Sequence, residues 1–82
     1  MKSYDFVLSS RAFHFLEKVK KAERHYLLRR FEALAARPQQ EPDGFLETYP
    51  RPLSLKHFGA FRVSYWVDHP ASEVCITDIV PK

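Results

Sequence analysis

The stretch Phe61-Arg62-Val63-Ser64-Tyr65-Trp66-Val67-Asp68, followed after a short turn by Glu73-Val74-Cys75-Ile76-Thr77-Asp78-Ile79, decides how this chain folds. Phe61, Val63, Tyr65 and Val67 alternate with Arg62, Ser64 and Trp66, the period-2 pattern of a strand whose two faces meet different surroundings. Arg62 therefore shares the mixed face with Trp66. A permanently charged guanidinium held mid-strand is costly unless it is paired or used, so it requires a carboxylate of this chain or an anion from outside.

The strands around it follow from the turn residues. Leu53 to Phe58 reads as a strand, and Gly59-Ala60 permits a tight reversal into the Arg62 strand. Asp68-His69-Pro70-Ala71-Ser72 makes the next turn, and Glu73 to Val80 forms the last strand. If Gly59-Ala60 is a two-residue loop, Phe58 opposes Phe61 and His57 opposes Arg62, while a slip of one residue substitutes Lys56 for His57. Either pairing gathers positive or titratable groups beside Arg62, which disfavours stability and favours holding a phosphate. A five-residue loop before the last strand would instead set Asp78 opposite Arg62 as an internal ion pair. Both readings stay open at this point. Trp66 on the same face can stack on a base, although a single tryptophan in a central strand is more often core.

Upstream, Tyr4, Phe6 and Leu8 alternate with Ser3, Asp5 and Val7 and run into Ser9-Ser10, a first strand leading to a helix N-cap. Ala12, Phe15, Leu16 and Val19 recur at helical spacing. Leu27, Phe31, Leu34 and Ala35 repeat that spacing over 22–36, and Arg37-Pro38 ends it. The shift in apolar stripe puts a junction between the two helices near Lys20-Lys21-Ala22. Residues 38–52 hold Pro38, Pro42, Pro50, Pro52 and Asp43-Gly44 and read as a loop with a short strand at Phe45-Leu46-Glu47. The order is strand, helix, helix, then a three-stranded antiparallel meander, an α+β domain over 1–82 with both helices packed on one face of an antiparallel sheet.

Composition bounds what such a domain can be. Eighty-two residues make one small domain, and 45% hydrophobic with 15% aromatic residues is too apolar for intrinsic disorder. Stability of so small a core is marginal, and a partner protein would help it. Residues 11–37 carry eight basic side chains, among them Lys21, Arg29 and Arg30, against three acidic ones. That segment suits nucleic acid, but such a run is more often the ordinary solvated face of a helix. Cys75 is the one cysteine, so no intramolecular disulfide forms, and nothing beside it activates a thiolate, which makes it core rather than nucleophile. His14, His25 and His69 have no companions at metal-ligand spacing, and no phosphate-binding glycine loop or serine elbow is present. No metal or other cofactor is expected. The N-terminus, Met1-Lys2-Ser3-Tyr4-Asp5-Phe6, lacks the apolar run of a signal peptide, and no membrane span occurs, so a cytoplasmic location is expected.

In this order the elements resemble the RelE/ParE superfamily of toxins from bacterial type II toxin–antitoxin modules. Phe61-Arg62-Val63-Ser64-Tyr65 is similar to that family's G-x-Y-R-hydrophobic-x-Y strand, and Val74-Cys75-Ile76-Thr77-Asp78-Ile79 to the strand leading to its C-terminal basic residues. The resemblance implies a toxin that inhibits translation through ribosome-dependent, metal-independent mRNA cleavage, with the ribose 2′-hydroxyl as attacking group. It assigns Arg62 to stabilising charge on the scissile phosphate, Lys56 or His57 to the basic or general acid/base role, and Lys82 to the place of an arginine after the last strand. A pKa near neutrality recommends His57 over Lys56 for proton transfer. Nuclease members carry a His or Tyr beyond the final strand, where this sequence has Pro81 and Lys82. Members of the ParE branch lack that set and act on DNA gyrase, and an inactive relative would keep only the fold. All three imply a cognate antitoxin as partner. A reading from another class is a non-catalytic nucleic-acid-binding module using Lys21, Arg29 and Arg30.

Overall fold

A computed structural model describes residues 4–82. Met1 to Ser3, where the reading of the N-terminus and of the first strand's alternation begins, lie outside the described residues. The elements run β1 (Asp5–Leu8), α1 (Ser10–Lys18), α2 (Lys21–Ala36), β2 (Gly44–Leu46), β3 (Leu53–Phe58), β4 (Phe61–Asp68) and β5 (Glu73–Pro81).

Ser9 starts α1 as its N-cap, its Oγ accepting the Ala12 N–H at 3.1 Å and satisfying one of the donors a helix start leaves unpaired. No glycine or proline ends α1. Val19 and Lys20 turn to extended backbone, and Arg24 of α2 reaches back, its Nε donating to the Leu16 carbonyl at 2.9 Å and its Nη2 to the Glu17 carbonyl at 3.5 Å. The junction thus falls at Val19-Lys20, slightly earlier than the stripe suggested. Glu23 then accepts the Lys20 N–H at 3.3 Å in the first turn of α2, where a carboxylate also meets the positive end of the helix dipole.

The five strands form one sheet in the order β1-β5-β4-β3-β2. The meander β3-β4-β5 is antiparallel as expected, with β2 added at its outer edge. The expectation of a fully antiparallel sheet is corrected by β1, which pairs parallel to β5, Phe6 opposite Val74 and Leu8 opposite Ile76. Connectivity explains this. The two helices carry the chain across the sheet to the far edge, and the strands return step by step until β5 arrives beside β1 running the same way.

Both helices cover one face. Phe31 of α2 meets Phe6 of β1 edge-on at 5.6 Å and Phe58 of β3 at 6.3 Å, and Phe15 of α1 meets Phe61 of β4 at 5.8 Å. Leu16, Leu27, Phe31 and Leu34 bury against Val63, Tyr65, Val74, Ile76 and Ile79. Each large side chain so enclosed contributes about 1.5–3 kcal/mol of transfer free energy. Among the described residues no helix lies on the opposite face of the sheet.

Candidate active site on the open sheet face

The β3–β4 hairpin fixes the site. Gly59 takes a positive φ of 59° at the first position of the two-residue loop, the requirement of a type II′ turn, so Phe58 opposes Phe61 and His57 opposes Arg62. Cross-strand partners share a face, which places His57 and Arg62 together on the side away from the helices, with Val80 of β5 completing the row. Asp43 holds this strand from its outer side. Its Oδ2 accepts the His57 N–H at 2.8 Å, and its own N–H donates to the Leu55 carbonyl at 2.8 Å.

The partner of Arg62 turns on two single-residue shifts. Asp68 pairs with Glu73, so the loop is four residues rather than five, and a β-bulge beside Ser64 and Tyr65 inserts Thr77 as an extra residue in β5. Asp78 therefore lies opposite Ser64 and not opposite Arg62, which corrects the internal ion-pair expectation. It is occupied elsewhere, 3.7 Å from Arg11 and accepting the Ile79 N–H at 2.9 Å. Arg62 is exposed and, among the described residues, has no carboxylate within ion-pair distance.

The remaining candidates divide by position. Lys82, exposed, donates its N–H to the Ala60 carbonyl at 2.8 Å and so lies at the hairpin end of the sheet with Arg62 and His57. Lys56 pairs with buried Val63 and belongs to the helix-covered face, across the sheet from Arg62. Lys21, Arg29 and Arg30 are exposed on α2, in the helix layer, and Arg30 stacks on Tyr26 at 5.3 Å. With Arg24 capping α1 and Arg11 beside Asp78, three of the basic side chains between 11 and 37 have internal contacts.

Along β4 beyond Arg62 the open face continues with Ser64 and Trp66. Ser64 and Thr77 hydrogen-bond through their hydroxyls at 2.8 Å, and Thr77 also donates to the Ser64 carbonyl at 3.0 Å, giving a short, satisfied polar floor. Trp66 is not core but half-buried, with the Arg51 guanidinium 3.8 Å from its ring centre. Burial pushes the Cys75 thiol up, helped by Glu73 and Asp68 and opposed by Arg51, so a thiolate is disfavoured. Burial likewise pushes the Tyr65 hydroxyl up, partly offset by its Ser54 hydrogen bond, which keeps it neutral on the core side. Among the described residues no three His, Cys, Asp or Glu side chains gather as metal ligands.

Two contributors were not singled out from sequence. Asp43 carried a signal, since Asp-Gly marks a turn whose aspartate bonds nearby backbone. Arg51 carried none, lying between Pro50 and Pro52 in a segment without periodicity.

No protein-family profile and no curated protein matches the sequence. Solved structures do match. The RelBE2 toxin–antitoxin complex of Mycobacterium tuberculosis superposes with a TM-score of 0.80 at 19% identity, over 100% of this chain and 94% of that one. The archaeal RelE–RelB complex of Pyrococcus horikoshii gives 0.76 at 21% identity, over 98% and 96%. The isolated E. coli RelE toxin gives 0.76 at 17%, over 96% and 84%.

Proposed function

We propose that this chain, which has the RelE toxin fold, is the toxin of a type II toxin–antitoxin pair and inhibits translation by cutting mRNA on the ribosome. The observation that supports the reading most is Arg62, exposed and, among the described residues, without a carboxylate partner, in a row with His57. A guanidinium fixed by a strand supplies two parallel donors to a phosphate and stabilises the charge that builds on its oxygens during attack by the neighbouring 2′-hydroxyl. His57 is the group for proton transfer, and Lys82 adds a second positive charge at the same end. Lys56 lies across the sheet and takes no part in this step.

The partner is a cognate antitoxin. Three of the matched structures are toxin–antitoxin complexes of RelE with RelB type proteins. On this chain β1 and β2 are both edge strands, Phe13 is 51% exposed, and a shallow cleft of about 400 Å³ lined by Leu8, Phe13, Leu16, Glu17, Arg24 and Leu28 opens beside β1. An extended or helical segment laid there buries apolar surface that a small domain leaves exposed.

The test is cleavage of a defined message in a reconstituted translation system, mapped by primer extension. Cuts confined to ribosome-bound mRNA are expected from the wild type, with rates reduced by at least a hundredfold in Arg62→Ala, the usual scale for losing a charge-stabilising donor. Uncut message, or cutting indifferent to Arg62→Ala, rejects the nuclease reading.

A further inference from the structure

We infer that Trp66 and Arg51 form a second subsite of the open face, a stacking platform for one unpaired base of the RNA whose phosphate Arg62 holds. The inference rests on the nuclease reading above and adds to it the group that sets where the strand lies. Trp66 and Arg62 occupy the same face of β4, four residues apart, which is about 13 Å at the rise of a strand. Between them on β4 stands Ser64, a small, buried side chain bonded to Thr77, with Leu55 of β3 beside it on the same face.

The ring itself is the only indole of the chain and is half-buried, with one face against the Arg51 guanidinium. Arg51 is exposed and has no ion pair among the described residues, and its backbone is held by the Thr48 hydroxyl, which donates to the Arg51 carbonyl at 2.6 Å. An exposed cation–π contact is weaker than the stacking of a base on an aromatic ring, so an incoming base displaces the guanidinium. Arg51 is then released beside the ligand's own backbone, where it meets a phosphate.

Charge along the face says where the strand stops. The hairpin end carries Arg62, His57 and Lys82, whereas the far end carries a row of carboxylates, Asp5 opposite Glu73 and Glu73 opposite Asp68. A polyanion tracking β4 from Arg62 passes Asp78, which lies opposite Ser64 but 3.7 Å from Arg11, and is repelled by the carboxylates beyond Trp66. The indole sits at that boundary. This polarity favours a nucleic-acid strand entering from the hairpin end over a protein segment spanning the whole face.

Because Trp66 is the sole tryptophan, its emission reports the site directly. The probe is a short single-stranded oligonucleotide with 2′-O-methyl riboses, which cannot undergo 2′-hydroxyl attack, alongside an abasic oligonucleotide of equal length. Expected are saturable quenching by the first and none by the second, and, by fluorescence anisotropy of a labelled probe, about tenfold weaker binding for Trp66→Leu with affinity kept by Trp66→Phe. Arg51→Ala should keep the quenching and flatten the salt dependence by about 0.7 in log–log slope, one phosphate contact on a single strand. Equal affinity of wild type and Trp66→Leu, equal quenching by the abasic strand, or no binding by either oligonucleotide overturns the platform. Message cleavage with unmoved emission overturns the platform alone, and quenching without cleavage supports the platform while removing the nuclease reading.

Discussion

Arg62 lies between Phe61 and Val63, both buried, yet its own side chain is exposed and unpaired among the described residues. A side chain with so few internal contacts contributes little to folding, so Arg62→Ala should change stability by no more than about 0.5 kcal/mol, checked by urea unfolding, while message cleavage collapses. Gly59 is the reverse case. Its φ of 59° lies where side chains are strained, and an added Cβ would stand 3.2 Å from the Tyr26 hydroxyl, so Gly59→Ala should cost about 1–3 kcal/mol. Tyr65 gives a pH signature. Its hydroxyl is raised above the ordinary 10.0 by burial, so the folded state disfavours the phenolate. The associated stability is fully present below pH 10.0 and is lost as pH climbs from there toward the higher folded value. Thermal unfolding between pH 9 and 11 should therefore fall less steeply for Tyr65→Phe than for the wild type. At this scale the sequence exposed Arg62 through its place in an alternating strand, and it left Trp66 ambiguous because burial of an indole depends on what lies over it. What lies there is Arg51, brought by a loop without periodicity.

Elements were legible wherever a period or a cap wrote them. Ser9 at the start of α1, the Leu27-Phe31-Leu34 stripe of α2 and the Gly59 turn each carry their own local cause. Register across β4 and β5 was not legible, since a four-residue loop and one inserted residue, Thr77, each move the pairing by one. Together they take Asp78 away from Arg62, so the chemistry of the site depends on a bulge that no residue type announces. Strand direction was equally silent for β1, because a strand followed by helices pairs either way. Asp43 tests how far β3 positions the site. Losing its bond to the His57 N–H should cost about 1 kcal/mol and lower the melting temperature by about 4–8 °C for a domain of this size. Calorimetry of Asp43→Ala checks this, with reduced cleavage expected at temperatures where the mutant remains folded.

The whole molecule sorts its charges by layer. Helix α2 carries Lys21, Arg29 and Arg30 on one side of the sheet, and the open face carries Arg62, His57 and Lys82 on the other, so no single strand of nucleic acid contacts both sets in the same way. A binding module built on α2 would survive Arg62→Ala and fail when Arg29 and Arg30 are both replaced by Ala. The toxin reading requires the opposite. Among the described residues no helix is long and apolar enough to cross a membrane. Binding of an antitoxin should raise stability by mass action, about 2.7 kcal/mol at a free concentration a hundred times its dissociation constant, seen as a melting temperature that climbs with added partner. The most direct measurement is growth under tight, inducible expression of the wild type and of Arg62→Ala, with pulse-labelling of protein and DNA synthesis. Arrest with an early collapse of protein synthesis, absent in an equally abundant and folded mutant, is the result expected. Unimpaired growth with soluble wild-type protein, or arrest that Arg62→Ala does not relieve, would contradict it.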